Sequence, residues 1–216
     1  MTHTLHRVGT PENLANDFNV IFRPEKGVSS EGSAPKMKKA IEMLVQNEAA
    51  NFGDVLRGSA INLDAQIILD NIKNGEAIYV SFSDREKLLR FLKDTVEADL
   101  GLSVVVQGPF DAVAECLRGC GLKIHTVNSS LGIWGRTDKL PSAEVQQITS
   151  MCGHGMIAAS LVVDVIEKIK EGKLTCKDGA KLLSTPCVCG IYNPDRAERL
   201  LEEYTNPSIL TKTQTS

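Results

Sequence analysis

The sequence predicts an α/β fold: a layered sheet of about four to five strands, then a helical C-terminal portion. Three observations predict it. Short runs rich in apolar and β-branched residues, at 18–22, 77–82, 102–107 and 123–128, have strand character. The segments between them carry apolar residues at helical spacing. Beyond Pro141 only the helical period remains. The resulting β-α-β-α-β order admits a parallel sheet or a split, ferredoxin-like one, and periodicity alone leaves both open.

Taken in order, residues 1–17 carry His3, His6 and Arg7 and read as an irregular, solvated arm. The strand at 18–22 is followed by a loop with Pro24, Gly27 and Gly32, then by a helix from Pro35 to about Gln46. A second helix covers 64–74, with Asp64 as its cap. After the strand at 77–82, Ser83-Asp-Arg-Glu86 forms a capping box for a helix reaching about Ala98. Gly101 opens the strand at 102–107, and a helix over 110–118 ends at Gly119 and Gly121. The last strand is expected at 123–128. Helices follow at 142–150, 155–170, from Thr175 to Leu183, and from Asn193-Pro194 to Tyr204. Residues 1–140 thus form an α/β domain, 141–206 a helical cysteine-bearing subdomain, and 207–216 a polar, disordered tail.

Composition excludes several function classes. Net charge is −3 and no basic run is long enough for a nucleic-acid face. No apolar stretch has the length of a membrane span, and the first residues lack a signal peptide's apolar core. A cytoplasmic protein is expected, in which the six cysteines stay reduced and serve metal binding, catalysis or packing. The partner expected is a small-molecule substrate. Oligomeric state is open, and a homodimer is compatible with everything above.

The chemistry concentrates in two segments. Met151-Cys-Gly-His-Gly155 stands where the long helix at 155–170 is expected to begin. A helix N-terminus offers free N–H groups and partial positive charge, so the Cys152 thiol is expected to have a lowered pKa. Thr185-Pro-Cys-Val-Cys-Gly190 is the second segment, ahead of another helix. Cys152, Cys187 and Cys189 are the cofactor-binding and metal-ligating candidates, and His154 with His125 the catalytic ones.

Three readings compete. In the leading one the three cysteines hold a [4Fe–4S] cluster with one open iron, which acts as a Lewis acid on a small polar metabolite in lyase or isomerase chemistry of anaerobic type. In the second, His154 completes a Cys₃His zinc site, the mark of a non-enzymatic zinc or cofactor-handling protein. In the third no metal binds, and Cys152 is an acid/base or nucleophile. Met151-Cys-Gly-His-Gly-Met-Ile157 resembles the Cys-Gly-His-Gly segment of the proline racemase family. That resemblance implies α-proton exchange by Cys152 opposite Cys187 or Cys189. It covers seven residues of 216, and the family's second Cys-Gly-x-Gly motif keeps only its first glycine in Cys189-Gly-Ile-Tyr192.

Lesser candidates complete the inventory. His125 lies on the strand expected at 123–128, which runs into a loop bearing Asn128, Ser130 and Trp134. Ligands gather at the carboxyl ends of strands, so these three are expected to bind substrate, with Trp134 as a wall. Cys116 and Cys120, at i and i+4, read as core packing and Cys176 as incidental.

Overall fold

Strand β1 (Phe18–Arg23) alternates, and its two faces enter two different cores. Phe18, Val20 and Phe22 join one cluster and Ile21 the other. The computed structural model describes residues 6–206, so His3 and the tail at 207–216 lie outside the described residues.

A one-turn helix α1 (Pro11–Leu14), capped by Thr10, precedes β1. Then come α2 (Ser33–Gln46), β2 (Asn51–Asp54), β3 (Gly58–Ser59) and α3 (Ala65–Asn71). They are followed by β4 (Ile78–Phe82), α4 (Arg85–Ala98), β5 (Ser103–Gln107) and α5 (Phe110–Gly119). The five strands lie in the order β3-β2-β4-β1-β5. Every pairing is antiparallel, with Val20 opposite Val80 on β4 and Val106 on β5. The units β1-α2-β2 and β4-α4-β5 therefore interdigitate, which is the split, ferredoxin-like arrangement. β3 and α3 form an insert between the two halves.

One face of the sheet is covered by α2 to α5. Met37, Ile41 and Leu44 of α2 and Leu88, Phe91 and Leu92 of α4 are buried against it. The Phe91 ring stands edge-on to Phe22, with centroids 5.6 Å apart, and tilted against Phe82 at 5.2 Å. The opposite face is covered by α6 (Ala143–Thr149), α7 (Ala159–Lys170), α8 (Cys176–Ser184) and α9 (Pro194–Thr205). There Ile21, with Tyr79 and Val105, packs on Ile148, Val162, Leu183 and Leu200. A three-layer sandwich results, and the cysteine loops lie in its second interface.

That second face also carries a polar row. Asn51, Ser81, Asn19 and Gln107 are successive register partners across β2, β4, β1 and β5, and all four are buried. Buried amides and hydroxyls need partners. The Tyr192 carbonyl, just past the second cysteine loop, accepts from Asn51 Nδ2 and Ser81 Oγ, both at 3.2 Å.

Several expectations need correction. Residues 123–128 pair with no strand: the segment leaves α5 on the outside of the molecule and is exposed throughout, Val127 at 55%. The long helix starts at Ala159, not at 155, because residues 150–158 form turns. Asp84 caps α4, accepting from the N–H groups of Glu86 and Lys87, while Ser83 turns to Asp195. β2 and β3 escaped the sequence reading, since Asn-Phe-Gly-Asp and Gly-Ser have no apolar alternation. The arm is not solvated at Arg7, whose side chain is 6% exposed. Among the described residues no helix is long and apolar enough to cross a membrane.

Candidate thiol centre

The first loop follows α6. The Cys152 N–H closes a turn on Thr149 O at 3.2 Å, and Gly155 N–H returns to Cys152 O at 3.0 Å. The second follows α8. Cys187 N–H bonds Ser184 O at 3.0 Å, and Gly190 N–H reaches back to Cys187 O. Gly190 has φ +81°, and a Cβ there would stand 2.2 Å from the Phe52 carbonyl carbon. Only glycine lets this loop turn and lie against β2.

The two loops bring the predicted sulfurs together. Cys187 Sγ is 3.9 Å from Cys189 Sγ, and Cys189 Sγ is 3.7 Å from His154 Nδ1. Cys152 hydrogen-bonds Cys187. The groups form a chain, Cys152–Cys187–Cys189–His154. The cysteines are buried, and His154 is exposed. Backbone N–H groups also face the sulfurs: those of Met156 and His154 at Cys152, of Tyr192 at Cys187, and of Ile191 at Cys189. Among the described residues, however, no three His, Cys, Asp or Glu side chains are gathered into a ready-made metal cage.

Charge along this chain is uneven. The hydrogen bond to Cys187, then burial, push the Cys152 thiol well up, which corrects the lowered value expected of it. Its loop ends before the N-terminus of α7, so no helix end supports a thiolate there. At Cys187 the bond from Cys152 pulls down, but the bond to Cys189 and burial outweigh it, and the thiol is pushed up to about 11. Cys189 accepts from Cys187 and is held below its ordinary value despite burial. A run of donors thus leads toward Cys189, the one thiol of the three held below its ordinary value.

A buried ionic cluster, absent from the sequence reading, frames the loops. Asp17, at the foot of β1, pairs with Arg7 and, at 2.9 Å, with Arg196. Asn193 donates to the same carboxylate at 3.0 Å while capping α9. Burial alone would push the Asp17 carboxyl up; the two guanidinium groups outweigh it and hold the group below the usual carboxylate range. A sequence signal existed. Asn19 and Ser81 interrupt apolar strands, but only strand register shows that they are neighbours.

An open hollow of about 370 Å³ adjoins Cys152, lined by His6, Ser150, Cys152, Gly153, Gly155 and Ala159. The expected catalytic His125 and substrate residues lie on a neighbouring segment. His125, Asn128, Ser130 and Trp134 lie on the exposed segment before α6. Ser130 Oγ is 3.2 Å from His6 Nδ1. Trp134 is 82% exposed and donates to Leu131 O at 2.9 Å. Cys116 packs in the first core and Cys120 beside it, while Cys176 contacts Thr205. No family model, curated protein or solved structure matches the chain significantly.

Proposed function

We propose that this protein is a metal–thiolate enzyme. In this reading Cys152, Cys187 and Cys189 ligate one thiophilic cation, His154 is the fourth neighbour, and a small polar metabolite approaches through the hollow beside Cys152. The carrying observation is the unbroken contact chain of three buried cysteines and His154, with backbone N–H groups aimed at the sulfurs. N–H donors favour thiolates, but several buried thiolates in contact repel one another. A soft divalent cation removes that conflict.

The spacing favours a single ion over the expected [4Fe–4S] cluster. Metal–sulfur bonds of about 2.3 Å give a tetrahedral edge of about 3.8 Å, and a sulfur–nitrogen edge of about 3.6 Å. The observed separations are 3.9 Å and 3.7 Å. Cysteines on different irons of a cubane splay farther apart. To close the set around one point, Cys152 and His154, at the two ends of the chain, would have to rotate inward. An ion held there would polarise a substrate oxygen as a Lewis acid once the substrate displaces His154 from the fourth position. His154, the exposed member, is placed to carry a proton.

The second reading, cofactor-free thiol chemistry, is favoured by the lowered Cys189 thiol beside His154 Nδ1. Its racemase-like form requires room for a substrate carbon between Cys152 and Cys187 or Cys189. Purification without oxygen followed by metal and sulfide analysis separates the readings. About one zinc or iron per chain and no labile sulfide is expected. Iron with stoichiometric sulfide would restore the cluster, and a metal-free, folded, thiol-reactive protein would leave the cofactor-free reading.

A further inference from the structure

We infer that Arg7 is the positioning residue of the thiol centre: its guanidinium fastens the two cysteine loops to each other, so that the N-terminal arm sets the distance between Cys152 and Cys187. The inference rests on the metal–thiolate reading for its main readout only. Arg7 Nη2 donates to Met151 O at 3.1 Å and to Ile191 O at 2.5 Å. The first carbonyl belongs to the residue before Cys152, the second to the residue two after Cys189. The same nitrogen is oriented by Asn19 Oδ1 at 3.0 Å, and Nη1 is bound by Asp17.

Among the described residues, no side chain outside the two loops bonds both of them, and the loops otherwise meet only through Cys152–Cys187 and Cys189–His154. The loops come from the ends of α6 and α8 and share no covalent link, since all six cysteines are free thiols. One planar group with donors in a rigid fork joins them in a fixed geometry, which a flexible ammonium does not reproduce. Partners behind a ligand set of this kind orient it and tune its affinity.

Arg196 provides the control. It is fully buried and also pairs with Asp17, but its remaining side-chain bonds go to Val8 O and Asn13 Oδ1, in the arm rather than in either cysteine loop. Arg7→Lys and Arg196→Lys therefore both weaken the ionic cluster, and only the first releases the loops.

The test loads the full chain with cobalt(II) and follows thiolate-to-cobalt charge-transfer absorption. Arg7→Lys is expected to lower cobalt affinity by about tenfold or more and to reduce the charge-transfer intensity per bound ion. Arg196→Lys should keep the wild-type spectrum. Equal effects of the two variants, or a folded Arg7→Lys protein with wild-type affinity and spectrum, would overturn the inference. If Arg7→Lys does not fold, Asn19→Ser removes only the acceptor that orients Nη2 and should shift the spectrum the same way; an unchanged Asn19→Ser spectrum then counts against it. Should the wild type bind no cobalt, the metal reading fails by itself. Arg7 is then judged on the alkylation rates of Cys152 and Cys187 in metal-free protein, which should rise severalfold in Arg7→Lys and not in Arg196→Lys; equal rates overturn it.

Discussion

Asp17 carries two guanidinium partners in a fully buried position, so its charge is the most consequential single one in the molecule. Asp17→Asn would leave Arg7 and Arg196 facing one another without a counter-charge. A loss of about 3–5 kcal/mol is expected, measured by urea unfolding at neutral pH. The pH dependence has a definite sign. The folded-state carboxyl titrates below its unfolded value of about 3.9, so its stabilisation is complete above that value and drains away as pH falls through the folded pKa. Wild type should therefore show a steep acid limb below about pH 4 that Asp17→Asn lacks. An identical limb in both proteins would assign acid lability elsewhere. The thiols were legible in the sequence, because cysteine is rare and two short motifs concentrate it. Arg7 was not, because its loop partners lie 144 and 184 positions away. The direction of the Cys152 shift was missed for a related reason: it depends on Cys187, a contact made only by folding.

At the scale of elements, the second cysteine loop is shaped by Gly190 more than by its own thiols. Gly190→Ala would place a methyl group inside van der Waals contact of the Phe52 and Gly53 backbone, at a φ that L-residues avoid. A loss of at least about 2 kcal/mol is expected, checked by thermal unfolding, and under the metal–thiolate reading metal analysis should show a matching fall. Full stability would mean that the loop can withdraw from β2. Most helices were legible because their caps are local: Asp64, Thr175 and Asn193 each accept from the first turn they precede. Pieces that depend on distant partners were misread. Residues 123–128 have a strand's composition without a neighbour, and β2 is a strand only because β4 lies beside it. The expected substrate residues Asn128, Ser130 and Trp134 lie on that exposed segment, where Ser130 meets His6.

For the whole molecule, the sheet binds two helical layers that neither bury nor satisfy its second face alone. Removing residues beyond 140 would expose Ile21 and strip the Tyr192 carbonyl from Asn51 and Ser81. Residues 1–140 alone are expected to lack a cooperative unfolding transition, whereas the full chain unfolds in a single step. Far-ultraviolet circular dichroism is the suitable probe, since the lone Trp134 is exposed and reports little of either core. Two separate transitions in the full chain would contradict this. The layered α/β class was legible from the order of elements. The choice of a split antiparallel sheet was not, because it is made by which strands pair.

The guanidinium contact that joins residues 184 positions apart also places the centre in time. Arg7 leaves the ribosome well before Ile191, and the pairing has no shorter route. Until Ile191 has been made and folded back, the thiols of a growing polypeptide lack their clasp.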